Sequence, residues 1–145
     1  MKSYRLGLLA LVVLPLAFAA VDEQGFVRLT PAEIEWVSSD RPGIDFATLA
    51  GDPTKAGFYV IRARFQPGVM SSPHYHPNDR HVTVISGTWH TGTDDSFDIE
   101  KTVPLGPGSY MMHPGGKIHY DGAKDTEVIV EIKGIGPAPS IRIND

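Results

Sequence analysis

The chain contains no cysteine. That excludes a disulfide framework, thiolate metal ligation and a thiol nucleophile together. Any metal has to be held by imidazole, carboxylate or water. Lys and Arg form no cluster, and the formal charge is −4, so the basic stripe of a nucleic-acid binder is missing. There is no internal repeat and no low-complexity stretch. Turn-forming residues are abundant instead: 15 Gly and 12 Pro in 145 residues favour many short strands over long helices. This length suits one domain with a real core.

The N-terminus differs in composition from the rest. Met1 to Arg5 is short and basic, Leu6 to Ala20 is apolar and uncharged, and small residues at Ala17, Ala19 and Ala20 suit a cleavage site. This is the pattern of a secretory signal peptide over residues 1–20, with cleavage near Ala19 or Ala20. The apolar run falls short of the roughly 20 residues a membrane span needs, and no basic stop-transfer segment follows. The expectation is an exported, periplasmic or secreted protein with no span after cleavage. Residues 21–145 would then form a single domain.

Thr30-Pro31-Ala32-Glu33 is a compact helix start, with Thr30 as cap, Pro31 at the first position and Glu33 bonding back. From Gly57 the pattern has period two. Tyr59, Ile61, Ala63 and Phe65 are apolar and face the core; Phe58, Val60 and Arg62 face away. Further strands are expected at 46–49, 69–76, 81–86, 97–103, 109–113, 127–133 and 141–143. Turns are expected at Pro77-Asn78-Asp79, Ser86-Gly87-Thr88, Gly106-Pro107-Gly108, Pro114-Gly115-Gly116 and Asp121-Gly122. Such spacing implies an antiparallel sandwich or barrel, with its core at about 57–133.

All six histidines lie between His74 and His119. Histidine is the commonest metal ligand among side chains. His74 and His76 are two apart, so on a strand they share a face, roughly 7 Å apart by strand rise. His81 shares its strand face with Thr83 and Ile85, opposite Arg80, Val82 and Val84. Either Tyr110 and Met112 or Met111 and His113 line the interior. His90 follows the Gly87 turn and reads as a surface residue.

The spacing of these residues resembles the two motifs of the cupin superfamily. Gly68, His74, His76 and Gly87 match the first, Gly-x5-His-x-His-x(3,4)-Glu-x6-Gly. Gly108, Pro114, Gly116 and His119 match the second, Gly-x5-Pro-x-Gly-x2-His-x3-Asn. The stretch His74-Tyr75-His76-Pro77-Asn78-Asp79, followed by Val82-Thr83-Val84, is most similar to small single-domain cupins of the ChrR kind. The resemblance implies an all-β fold, a jelly-roll barrel (double-stranded β-helix), with His74, His76 and His119 as metal ligands. It also implies a homodimer, paired through edge strands and residues 26–37. Three imidazoles suit Zn, and equally Fe, Mn, Ni or Cu.

Two positions depart from the motifs. Arg80 stands at the glutamate and Ala123 at the asparagine. Arginine is always charged and cannot ligate a metal. At an effective dielectric near 20, a +1 and a +2 charge about 5 Å apart repel by roughly 6 to 7 kcal/mol. Arg80 therefore turns away to a carboxylate such as Asp79, Asp98 or Glu131, meets the metal through an anionic ligand, or spoils the site. His81 is a candidate fourth ligand if a bulge turns it inward, and His113 a candidate proton-transfer group. The implied function is an exported metal-dependent enzyme, oxygenase-like or isomerase-like, acting on a small anionic substrate oriented by Arg80. The alternatives are a non-enzymatic metal or small-molecule sensor, and a structural barrel with a decayed site.

Overall fold

A computed structural model describes residues 21–143, which fall into two compact units, 21–34 and 35–143. The signal peptide expected over residues 1–20 lies outside the described residues. Among those described, no helix is long and apolar enough to cross a membrane.

In the first unit, Val21 bridges Val27, and Pro31–Glu33 forms one 3-10 turn. The Thr30 N–H and hydroxyl both donate to Glu33 Oε2, at 2.7 and 2.6 Å. The helical turn read from Thr30-Pro31-Ala32-Glu33 is present, and it ends at Ile34, which has extended backbone.

The second unit is a jelly roll of eleven strands: β1 (Val37–Ser38), β2 (Ile44–Ala50), β3 (Gly57–Phe65), β4 (His74–Tyr75), β5 (Arg80–Ser86), β6 (Trp89–Gly92), β7 (Val103–Leu105), β8 (Tyr110–His113), β9 (Tyr120–Gly122), β10 (Val128–Gly136) and β11 (Ile141–Arg142). Six of them make a sheet in the order β1-β2-β3-β10-β5-β8, three make the sheet β7-β6-β9, and β11 pairs with β4. The pairs between strands are antiparallel.

Alternation decides which side chains enter the core. On β3, Tyr59, Ile61, Ala63 and Phe65 are buried, as the period-two pattern predicts. Val128, Val130 and Ile132 of β10 and Val82 and Val84 of β5 join them, with Trp89 from β6. The opposite face carries charge. Arg62 meets Glu131 at 3.1 Å, and Arg64 meets Asp45 at 2.8 Å across β2 while stacking over Trp36 at 4.5 Å. Each large apolar side chain hidden this way contributes about 1.5–3 kcal/mol.

Three sequence expectations are corrected. The strand expected at 97–103 is a 3-10 turn, Ile99–Lys101, followed by β7. Asp98 caps the turn by accepting from the Glu100 N–H at 3.1 Å, and local carboxylate bonding of this kind competes with a ladder. The strand expected at 69–76 shrinks to β4 plus a bridge between Met70 and Gly122, because Pro73 has no N–H to give a ladder. Asp121-Gly122 is part of strand β9, not a turn, and both residues are buried. Strand β6 was hidden behind the Gly87 turn signal. Its Gly92 faces Tyr120 across the ladder, and a Cβ there would lie 2.1 Å from Tyr120 Cζ.

Candidate functional site

An isolated bridge between His74, which opens β4, and His119, just before β9, brings the two motifs together through the main chain. The His74 N–H donates to the His119 carbonyl at 3.0 Å, and the His119 N–H donates to the His74 carbonyl at 2.9 Å. Two carbonyl bonds thus hold the ligand-bearing backbones side by side. The rings of His74 and His119 are 4.4 Å apart, those of His74 and His76 4.9 Å, and those of His76 and His119 5.4 Å. All three residues are buried. The loops of the motifs are also tied: Gly115 N–H donates to Asp79 Oδ1 at 2.8 Å, and Gly116 N–H to the His76 carbonyl at 2.7 Å.

The tautomers follow from the partners. His74 Nδ1 lies 2.7 Å from the Ser72 carbonyl, His76 Nδ1 3.0 Å from Pro139, and His119 Nδ1 3.1 Å from Lys117. A carbonyl can only accept, so each Nδ1 carries the hydrogen and each Nε2 keeps its lone pair. This is how metal-binding imidazoles are usually oriented. One ring nitrogen from each of the three lies within 4.8 Å of the other two, and His119 Nε2 is buried without a partner. The donor set fits a divalent transition metal. Burial pushes the His119 pKa down to about 4 and that of His76 to about 2, Arg80 adding to the latter, so both are neutral at physiological pH.

Arg80 points into the same space. It leaves β5 on the inner face with Val82 and Val84, and is 9% exposed. Its Nη1 bonds His76 Nε2, and its Nε is buried without a partner. None of the carboxylates considered from sequence takes it: Asp79 accepts from Gly115, Asp98 pairs with Lys101, and Glu131 with Arg62 and Lys133. Burial pushes the Arg80 pKa down, while Tyr59 and Asp121 favour its charged form.

His113 sits opposite Arg80 in the β5–β8 register and is 4% exposed. This selects Met111 and His113 as the inner pair of β8 and leaves Tyr110 and Met112 exposed. The His113 ring is 3.8 Å from that of His119 and 5.6 Å from that of Trp89, and burial pushes its pKa down to about 2. His81 corrects an expectation. It lies exposed on the outer face of β5, hydrogen-bonded through Nδ1 to the Tyr110 hydroxyl at 2.8 Å. Regular alternation without a bulge at Arg80–Val82 keeps it from the pocket, so it is no fourth ligand. His90 is half-buried beside Thr102, 3.2 Å from its hydroxyl. Ala123, at the motif's asparagine position, is wholly buried in the core.

Sequence reasoning missed Asp121. It is 6% exposed and follows His119 by two residues, so the two share a face. The His-x-Asp spacing was the available signal, masked by reading Asp-Gly as a turn. His74, His76, Arg80, His113 and Asp121 line one cavity of about 380 Å³. The remaining wall is largely apolar, with Ile44, Ile61, Ala63, Val82 and Ile132 among its residues, and Arg41 and Arg142 also border it. Such a pocket suits a small organic molecule.

A family model for the ChrR cupin-like domain matches residues 24–135. Germin-like protein subfamily 3 member 2 of Arabidopsis thaliana is 31% identical over 65 residues, covering 44% of this chain and 29% of the plant protein. The chain therefore spans less than a third of that relative. Among solved structures, the polyketide cyclase RemF from Streptomyces resistomycificus superposes with a TM-score of 0.68 at 17% identity, over 81% of this chain and 85% of the other. The DMSP lyase DddQ from Ruegeria pomeroyi gives 0.62 at 15% identity, over 77% and 62%. At these identities the likeness is one of fold.

Proposed function

Because the chain belongs to the ChrR cupin-like family, we propose that it is a metal-dependent cupin enzyme acting on a small anionic organic substrate. The observation that carries this reading is the set of three buried imidazoles with every Nδ1 committed to a main-chain carbonyl. In the motif reading, His74, His76 and His119 would hold one divalent transition metal. When bound, such an ion supplies a Lewis acid for a carbonyl or enolate, or a binding position for O₂. Arg80 orients the anion, since its unpartnered Nε and forked guanidinium match a carboxylate. The apolar wall excludes water. His113, neutral and facing the pocket, takes or gives a proton at a ring nitrogen. Oxygenase-like or isomerase-like chemistry is the class that such a Lewis-acid or O₂-binding centre would serve.

The test is metal content. Protein purified without a histidine tag, then stripped and reloaded with Zn, Fe, Mn, Ni or Cu in turn, is expected to hold close to one equivalent of at least one. Less than about a tenth of an equivalent of each ends the metal-dependent reading.

A second reading is a binding or sensor module without catalysis. One observation favours it: Arg80 Nη1 already engages His76 Nε2, so a resident organic cation stands at one motif ligand. Ligand binding to metal-free protein, followed by Trp89 fluorescence from the cavity wall, separates the two readings.

We also propose export after cleavage near Ala19 or Ala20, and a homodimer. Exposed Tyr110 and Met112 on edge strand β8 support the latter. N-terminal sequencing of secreted or periplasmic protein, and light scattering on the eluted peak, test them.

A further inference from the structure

The motif's acid is absent at position 80, yet the pocket contains a buried carboxylate elsewhere. Asp121 enters from β9 on the same side as His119. One carboxylate oxygen of Asp121 and one ring nitrogen each of His113 and His119 lie within 4.8 Å of one another. Neither nitrogen of His113 has a hydrogen-bond partner, nor does His119 Nε2, and all three atoms are buried. Native interiors satisfy such groups, and a divalent cation would take the lone pair of one His113 nitrogen together with that of His119 Nε2. We propose that His113, His119 and Asp121 form the resident seat of the cation, and that Arg80 holds the His74–His76 side of the pocket. This rests on the reading that the pocket takes a divalent cation, and changes where the ion sits.

Two observations favour the inner seat, and a third makes the two seats exclusive. Arg80 Nη1 takes the lone pair of His76 Nε2, which the motif set needs. The inner set includes a carboxylate, whereas the motif set is three imidazoles, one of them engaged by the Arg80 guanidinium. His119 Nδ1 is committed to the Lys117 carbonyl, so His119 offers one nitrogen and cannot serve two ions. The seats are therefore exclusive, with one ion per chain. Two imidazoles and a carboxylate, with open positions, suit Fe(II) or Mn(II), and Co(II) as a probe.

The experiment titrates stripped, untagged protein with Co(II), read by calorimetry and by the visible absorption of the bound ion. Asp121→Asn keeps the side chain's shape and removes the charge. It is expected to weaken Co(II) binding at least tenfold more than His76→Gln does, with His113→Gln behaving like Asp121→Asn. Asp121→Glu is expected to recover part of the loss and the wild-type spectrum. His81→Ala, outside the pocket, serves as the control. If Asp121→Asn does not fold, His113→Gln and Asp121→Glu carry the comparison. If His76→Gln weakens binding as much as or more than Asp121→Asn, the inner seat is overturned and the metal-dependent reading survives. If wild-type protein takes less than about a tenth of an equivalent, that reading fails as well.

Discussion

At the residue scale the site is governed by one substitution. Arg80 occupies the place of a ligating acid, on the inner face of β5, and meets His76 rather than a carboxylate. A permanent charge here opposes a divalent cation by several kcal/mol at an effective dielectric near 20. Arg80→Glu reverses that sign and adds a donor. It is expected to tighten binding of Zn(II) or Co(II) by at least tenfold, measured by competition with a chromophoric chelator; an unchanged affinity would show that the guanidinium does not act on the ion. His81→Ala should leave metal content unaltered and shift stability by less than about 0.5 kcal/mol, since its side chain is exposed and makes one bond with Tyr110. The contrast between these neighbours was readable from alternation along residues 80–86, which separates Arg80 from His81. What alternation could not supply was the partner of Arg80. That depends on which buried groups the other strands bring to it, and on a guanidinium long enough to reach several.

Elements show a different pattern of legibility. Long strands with strict alternation, such as β3 and β10, were readable because burying one face of a sheet fixes their period. Short ones were not. β6 and β9 have four and three residues, too few for a period to declare itself; β6 follows the Gly87 turn signal, and Asp121-Gly122 in β9 itself reads locally as a turn. Gly92 of β6 leaves room for the ring of Tyr120, which donates from its hydroxyl to the Asp98 carbonyl at 3.0 Å. Tyr120 separates His119 from Asp121, so displacing the ring displaces both neighbours. Gly92→Ala is therefore expected to cost about 1–3 kcal/mol by overpacking and to lower metal affinity as well. Urea unfolding and metal titration of the same variant check the two effects. A loss of stability with unchanged metal affinity would show that β9 absorbs the added methyl without moving the site.

For the molecule as a whole, burying three imidazoles makes stability depend on pH. Burial is the largest cause holding His76, His113 and His119 below the ordinary histidine value, the last at about 4. The unfolded chain takes up their protons near pH 6.5, whereas the folded chain does not until lower pH. Stability is therefore fully present above about pH 7 and is lost as pH falls through 6.5 towards 4, by up to about 1.4 kcal/mol per pH unit for each group. Thermal unfolding of metal-free protein between pH 7.5 and 5 should show a falling Tm. His113→Gln should flatten the decline, and a slope equal to that of the wild type would show that His113 is not held neutral. A bound metal would extend the fall to lower pH, because protons compete with it for the same nitrogens.

The three carbonyls that orient the imidazoles belong to Ser72, Lys117 and Pro139. A main-chain oxygen is present whatever side chain stands above it. The ring tautomers are therefore immune to point mutation at the very positions that set them, provided the backbone keeps its course. Such a site can exchange an acid for an arginine at position 80 while the alignment of its imidazoles persists. The barrel thus has a heritable frame, with ligand identity and pocket wall open to divergence.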